Sequence, residues 1–348
     1  MSSPPPAARN ERQPQPHEIV HLFPGQGDFA LGPLVRAVGA HGPVRAAVAD
    51  TFGEAAEAGS EFGVPPLAEA LLGDSPPSSR DLAEAPVGTP QLALFCSSVA
   101  VHRALCAIGL PPRQVVGVSF GEIAALTAAG VFSVPDGARI ACLLARRLAE
   151  CPGGMTLFKT GESHTVALLA GAPDVAVACV NDPEETVVSG PVPALRAVEE
   201  IAERQGVSVV RLRLPFPSHH PSLRDAAEAF MASIRPLPAR PARVPAHSAV
   251  RGRAYRPGDD VHRGLADCLV RPARLPRLLH ELNLSRNALL FEAGTGRALA
   301  RSARRVLPDA GGRTYATLWD PGVPWPAPGT ADPLAPADAF ARLTGASR

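Results

Sequence analysis

Lysine is almost missing from this chain. Lys159 is the only one in 348 residues, and every other basic side chain is arginine. The formal net charge is +1 at pH 7 and 19% of residues are charged. Such a balance builds no field for nucleic acid and no polybasic patch for a membrane surface. Cysteine is sparse and scattered: Cys96, Cys106, Cys142, Cys151, Cys179 and Cys268 contain no C-x-x-C pair. That spacing argues against a zinc site and a disulfide framework, and leaves the thiols as small core residues. No apolar run is long enough to span a bilayer. The first 16 residues are polar and proline-rich and lack the apolar stretch of a signal peptide. A cytoplasmic globular protein is expected. What abounds is Ala, Pro and Gly, usage that fits the codon bias of a GC-rich genome better than a function.

The length allows a substantial core, as one large domain or a domain with an insertion. Residues 1–17 are expected to form a disordered tail. A short buried-type strand, Glu18–Phe23, ends at Pro24-Gly25-Gln26-Gly27. Helical patterns follow at about 34–52, 67–72 and 89–108, then a strand at 115–118 and a helix from Glu122. Another helix is read from Asp136 to Glu150, with Ile140, Leu143, Leu144 and Leu148 at helical spacing. The rhythm then changes to strand 155–159, helix 163–169, strands 175–180 and 185–189, helix 192–205 and strand 207–214. That order, β-α-β-β-α-β, is the ferredoxin-like arrangement. It interrupts a chain that otherwise alternates strands and helices, so it is read as an insert. A helix at 223–234 and strands near 243–247 and 288–292 return to the larger unit. A proline-rich end carries a short helical pattern at 337–343.

The most informative stretch is Val115-Val116-Gly117-Val118-Ser119-Phe120-Gly121-Glu122. Gly117-x-Ser119-x-Gly121 between an apolar strand and a helix is the pattern of a nucleophile elbow. There the glycines admit close backbone approach and the strained turn holds the serine hydroxyl clear of the sheet. Read alone, it serves equally well as an ordinary strand–helix loop. A serine nucleophile needs a base within hydrogen-bond reach. His219 and His220, framed by prolines at the junction where the insert ends, are the candidates. It also needs backbone N–H donors for a developing oxyanion. Pro24-Gly25-Gln26-Gly27 and the N–H of Phe120, after the serine, are the sources in reach.

Taken in order, these segments resemble the malonyl-CoA:acyl-carrier-protein transacylase family, which includes the acyltransferase domains of polyketide synthases. Phe23-Pro24-Gly25-Gln26-Gly27, Gly117-x-Ser119-x-Gly121-Glu122 and Pro217-Ser218-His219 carry the likeness. Thr89-Pro90-Gln91, Asn181-Asp182-Pro183 through Ser189-Gly190, and Glu292-Ala293-Gly294-Thr295-Gly296 extend it over residues 18–310 or so. The resemblance implies an α/β fold, an α/β-hydrolase-like large subdomain at 18–153 and 215–318 with a ferredoxin-like small subdomain at 154–214, then a proline-rich segment at 319–348. It implies a Ser-His dyad of Ser119 and His219, an oxyanion hole of the Gln26 and Phe120 N–H groups, and Gln91 near the site. The reaction implied is a ping-pong transfer from an acyl thioester to the phosphopantetheine thiol of an acyl carrier protein. No cofactor or metal is bound; phosphopantetheine arrives on the carrier protein or CoA. A monomer is expected, with the arginines at 204, 211, 213, 271, 274 and 277 as a landing surface for an acidic carrier protein.

Two departures bear on the acyl group. The family places histidine before the nucleophile, where this chain has Val118. It also places an arginine for the substrate carboxylate on the helix after the elbow, where this chain has Leu144. Arg146 lies about 200° around that helix and Arg147 about 60° off the face, so Arg147 is the nearest substitute. With small Ser218 beside the base, the expected pocket of Val118, Leu144, Ser218, Gln91 and Arg147 is apolar. An unpaired carboxylate buried there is strongly disfavoured, which points to an aliphatic, aminoacyl or peptidyl group. The alternatives are an ordinary malonyl transacylase, or a hydrolase that releases acyl groups from carrier proteins to water.

Overall fold

The computed structural model describes residues 18–73 and 76–326. The expected N-terminal tail and the helix read at 337–343 lie outside them. The chain begins with β1 (Ile19–Phe23), then α1 (Gly32–Ala40), α2 (Gly42–Ser60), α3 (Ala68–Leu72), α4 (Ser79–Glu84) and α5 (Thr89–Ala107). The elbow region follows as β2 (Gln114–Gly117), α6 (Gly121–Ala128) and α7 (Val134–Ala149). Next come β3 (Gly154–Phe158), α8 (Glu162–Leu168), β4 (Ala176–Asp182), β5 (Glu185–Gly190), α9 (Val192–Arg204) and β6 (Val209–Arg211). The return comprises α10 (Arg224–Ile234), β7 (Ala246–Ser248), β8 (Arg253–Ala254), α11 (Val261–Val270), β9 (Ala273–Arg274) and α12 (Leu275–Glu281). Last are β10 (Leu289–Glu292), α13 (Ala298–Val306) and β11 (Thr314–Ala316).

One six-stranded sheet runs β11-β10-β1-β2-β7-β8. All its pairs are parallel except the β7–β8 hairpin. β1 is buried along its whole length, as a central parallel strand covered on both faces must be. The two-residue period divides its side chains between two cores. Ile19 and Phe23 join the larger cluster with α2, α5, α6 and α7, while Val20 and Leu22 join a second with α12 and α13.

The second sheet runs β6-β3-β5-β4-β9. Its first four strands, with α8 and α9 between them in sequence, have the ferredoxin-like order. Phe158 and Val188 pack with Leu168, Leu195, Val198 and Ala202 on the helix-covered face. Met155, Leu157, Val187, Leu212 and Leu214 gather on the other. β9 lies in sequence outside 154–214, yet pairs parallel with β4 through Cys179↔Ala273 and Val180↔Arg274.

Several sequence expectations need correction. The helical pattern at 34–52 is two helices, because His41 turns extended (φ −133°, ψ 113°) before Gly42-Pro43 opens α2. The strand read over 207–214 shrinks to Val209–Arg211, since beyond it the chain turns toward the prolines at 215 and 217. The helices α4, α11, α12 and α13 and the short strands β8, β9 and β11 have no counterpart among the sequence expectations.

Candidate active site

The pairings Phe23↔Gly117 and Leu22↔Glu292 bring the carboxyl ends of β1, β2 and β10 level. The loops that follow them, at 24–27, 118–120 and 293–297, therefore meet at one edge of the sheet, where open parallel sheets hold their sites. Ser119 stands at the tip of the second loop with φ 57°, a left-handed conformation rare outside glycine. The glycines two residues to either side have no room for a side chain. A Cβ built on Gly121 would lie 2.2 Å from the Phe23 carbonyl oxygen, and one on Gly117 would lie 2.6 Å from Glu122 Cα. Hydrogen bonds from Val118 N to Phe23 O (3.1 Å) and Glu122 N to Ser119 O (2.9 Å) hold the turn. Phe120 caps α6, so its N–H, at the open end of the helix, has no intrahelical acceptor.

His219 shares the φ of 57° and is 1% exposed. Its Nε2 lies 2.6 Å from Ser119 Oγ, and its Nδ1 lies 2.7 Å from the Arg271 carbonyl oxygen. A carbonyl only accepts, so Nδ1 carries the proton and the Nε2 lone pair faces the serine, whose hydroxyl donates. Burial lowers the imidazole pKa to about 4, against a small opposing effect of the Arg271 carbonyl. At neutral pH this is an uncharged base aimed at an alcohol. Among the described residues no carboxylate stands behind it; the Arg271 carbonyl orients the ring instead. His220 is turned elsewhere: Nδ1 meets Ser222 Oγ at 2.7 Å and Nε2 the Asp174 carbonyl at 3.2 Å.

The 24–27 loop packs directly on the serine, since a Cβ on Gly25 would sit 3.4 Å from Ser119 Cβ. Gln26 opens a single 3₁₀ turn with its backbone N–H at the free end. Gln91 on α5 donates from Nε2 to Gln26 Oε1 at 3.1 Å, which fixes the loop from behind. Ser119 opens into a cavity of about 440 Å³, a size suited to a small-molecule site. Gln26, Val118 and Ser218 line it.

Three other expected pocket residues do not. Leu144 is 6% exposed within the main core, and Arg147 pairs with Glu150 at 2.6 Å on the surface; neither lines the cavity. Gln91 reaches it only through Gln26. α7 buries Leu144 in the main core, so its residue type acts there on packing. Of the arginines read as a landing surface, Arg211 is held by Glu199 and Arg274 by Glu162, each at 2.7 Å.

Two features of the site carry no signal in residue type or spacing. The Arg271 carbonyl leaves no trace in residue type. Glu122, part of the motif, proves to be 1% exposed, with Ser248 Oγ donating at 2.5 Å and Tyr255 OH at 2.9 Å. Burial raises its carboxyl to about 7 even though those donors pull it down. The carboxyl ties β7 and the segment after β8 to the first turn of α6, directly behind Gly117.

Among the described residues, no group of three or more His, Cys, Asp or Glu side chains is placed to hold a metal. No described helix is long and apolar enough to cross a membrane.

Residues 82–292 match the family model of the acyl transferase domain. Polyketide synthase GfsE of Streptomyces halstedii is 32% identical over 308 residues, 86% of this chain but only 7% of that synthase. Polyketide biosynthesis protein ThaF of Burkholderia thailandensis is 32% identical over 210 residues, 59% of this chain and 18% of that protein. The chain thus spans a small part of these relatives. Among solved structures, the malonyl-CoA:acyl carrier protein transacylase of Xanthomonas oryzae pv. oryzae is similar at a TM-score of 0.72 and 26% identity. That match covers 84% of this chain and 92% of that one. The acyltransferase domain of SpnD, at 24% identity and a TM-score of 0.75, shares the fold over 95% of this chain. The α/β-hydrolase-like sheet with its ferredoxin-like companion is the architecture of these proteins.

Proposed function

Since the chain belongs to the acyl transferase domain family, we propose that it carries an acyl group on Ser119 between two thioester partners in polyketide biosynthesis. The carrying observation is the 2.6 Å contact of Ser119 Oγ with an Nε2 whose ring is locked by the Arg271 carbonyl. The serine hydroxyl attacks the thioester carbonyl while Nε2 takes its proton. The oxyanion then rests on the N–H groups of Gln26 and Phe120, both at open helix ends. Collapse breaks the C–S bond, and the imidazolium returns the proton to the leaving thiol. The same steps in reverse order, with a phosphopantetheine thiol of an acyl carrier protein as nucleophile, release the acyl group. Nothing needs to be bound beforehand: phosphopantetheine enters with the carrier protein or with CoA.

We further propose that the acyl group has no free carboxylate. One wall of the cavity is made by Val118, Met155, Leu214, Phe216 and Ser218, with no cation among them; of the lining cations, Arg297 lies over the Trp319 ring and Lys159 and Arg301 share Glu185. A malonyl carboxylate bound there would be desolvated without a partner, a penalty of several kcal/mol. An aliphatic, aminoacyl or peptidyl chain fits that wall.

The test is intact mass spectrometry of the protein with malonyl-CoA and with a neutral acyl thioester. The neutral donor should give a stoichiometric adduct on Ser119 that a carrier-protein thiol discharges, and Ser119→Ala should give none. Rapid, stoichiometric malonylation of Ser119 would overturn the neutral-acyl reading and restore an ordinary malonyl transacylase. Discharge to free acid without a thiol would mark a hydrolase.

A further inference from the structure

The lone lysine lines the same cavity, at the end remote from the dyad. β3 starts beside the turn that carries His219: a Cβ on Gly153 would lie 2.6 Å from Pro217 Cδ. From there Met155, Leu157 and Lys159 alternate onto the cavity face. At a rise of about 3.3 Å per residue, Lys159 lies roughly 20 Å along the strand from Gly153. The wall between is apolar, made by Leu157, Val187, Val210 and Leu212. Polarity returns with Lys159, Glu185 and Arg301.

These charges do not balance. Glu185 is 3% exposed and accepts from Lys159 Nζ at 2.7 Å, from Arg301 at 3.1 Å and from Arg305 at 3.2 Å. Burial acts to raise its carboxyl, but the Lys159 hydrogen bond and the arginines outweigh it and hold the group below the usual range. Arg305 is also engaged by Asp182 and Glu184. The charged residues that line the cavity are Lys159, Arg297 and Arg301 against Asp28 and Glu185. Asp28 is occupied as well, accepting the backbone N–H groups of Arg297 and Ala298 at 2.8 Å. Lys159 and Arg301 therefore share one sealed carboxylate, yet their own side chains are 39% and 43% exposed. Both cations thus keep part of their surface toward the open cavity.

We propose that Lys159 and Arg301 form a phosphate subsite for the phosphopantetheine arm whose thioester reaches Ser119. This rests on the acyl-transfer reading above. The arm lies along the apolar wall, and its phosphodiester meets an ammonium and a guanidinium at the solvent end. A dianionic or monoanionic oxygen cluster suits that pair of donors. Half exposure is what the position requires, because the phosphate is joined outside to a carrier serine or to a nucleotide.

The test compares two donors of one acyl group, its pantetheine thioester and its phosphopantetheine thioester, by the rate of Ser119 acylation. The phosphorylated donor should be favoured in kcat/KM by roughly tenfold or more, the worth of one hydrogen bond to a charged group. Lys159→Met and Arg301→Met should each shrink that ratio toward one, and raised salt should do the same in the unsubstituted protein. A purely structural ion pair would lower both rates together and leave the ratio intact, which overturns the proposal. So does a ratio near one at the start. Acyl-CoA and acyl-carrier protein, run in parallel, tell which phosphodiester uses the site. Failure of every thioester to acylate Ser119 would instead remove the acyl-transfer reading itself.

Discussion

At the scale of single residues, the proposed base is defined by what it lacks. His219 has no carboxylate partner, so its imidazolium is stabilised only by a backbone carbonyl in a buried site. The consequence is a pH profile displaced to acid. With its pKa lowered to about 4, the ring stays neutral and able to accept the Ser119 proton through the whole neutral range. The acylation rate should hold level from about pH 8 down to about pH 5.5 and fall to half near pH 4, with the protonated form inactive. A half-point near the ordinary histidine value would show that the ring is hydrated in the working enzyme. His219→Ala should slow acylation by roughly 10²–10⁴-fold. How much of this could be read from sequence divides along chemical lines. Ser119, its glycines and the proline-framed histidine pair are side-chain identities at short spacing, so they were legible. The Arg271 carbonyl was not, because every residue has one.

At the scale of elements, the elbow shows why a five-residue pattern carries so much. Gly121 is there because the Phe23 carbonyl occupies the space of its Cβ, and Gly117 because α6 begins against it. Gly121→Ala should destabilise the protein by about 3 kcal/mol or more, by forcing β1 and α6 apart. Gly39→Ala in α1, with nothing within 4 Å of the new Cβ, is the matched control and should be neutral or slightly stabilising. Urea midpoints of the two variants decide it; equal midpoints would mean the loop relaxes freely. The same logic explains what the sequence hid. β8, β9 and β11 are two or three residues long and exist only through their partners, so no periodicity announces them. Our proposed division, an insert at 154–214, is supported by two side-chain clusters drawn wholly from that stretch. β9 nonetheless crosses into it, which a boundary drawn from rhythm alone would not anticipate.

At the scale of the whole molecule, the central sheet and the helices packed on it bury ionisable groups of opposite sign preference. His21 and His102 face each other through Nδ1 atoms 2.9 Å apart, and burial lowers both, His102 to about 4. Glu122 and Glu292 are sealed and raised, to about 7 and about 8. A buried neutral histidine favours the folded state more as pH rises toward its unfolded value near 6.5. A buried neutral carboxylic acid contributes stability that is complete below about pH 4.5 and is lost as pH climbs through its folded pKa. The two sets oppose each other between about pH 4.5 and 6.5. Above pH 6.5 the unfolded histidines still lose protons, those at 41, 219 and 247 included, and offset the loss from the carboxylic acids, so the Glu122 part is read as a difference between the protein and a variant. For Glu122 alone the full shift is worth about 3 kcal/mol, of which the upper part of the window shows a fraction. In urea melts at pH 6.5, 7.25 and 8 the stability of the unsubstituted protein should fall relative to that of Glu122→Gln, which keeps an acceptor for Ser248. An identical slope in the variant would mean that Glu122 is ionised in the folded protein. The carboxylate behind the elbow would then reach Ser119 and α6 as a charge rather than as a neutral hydrogen-bonding clasp.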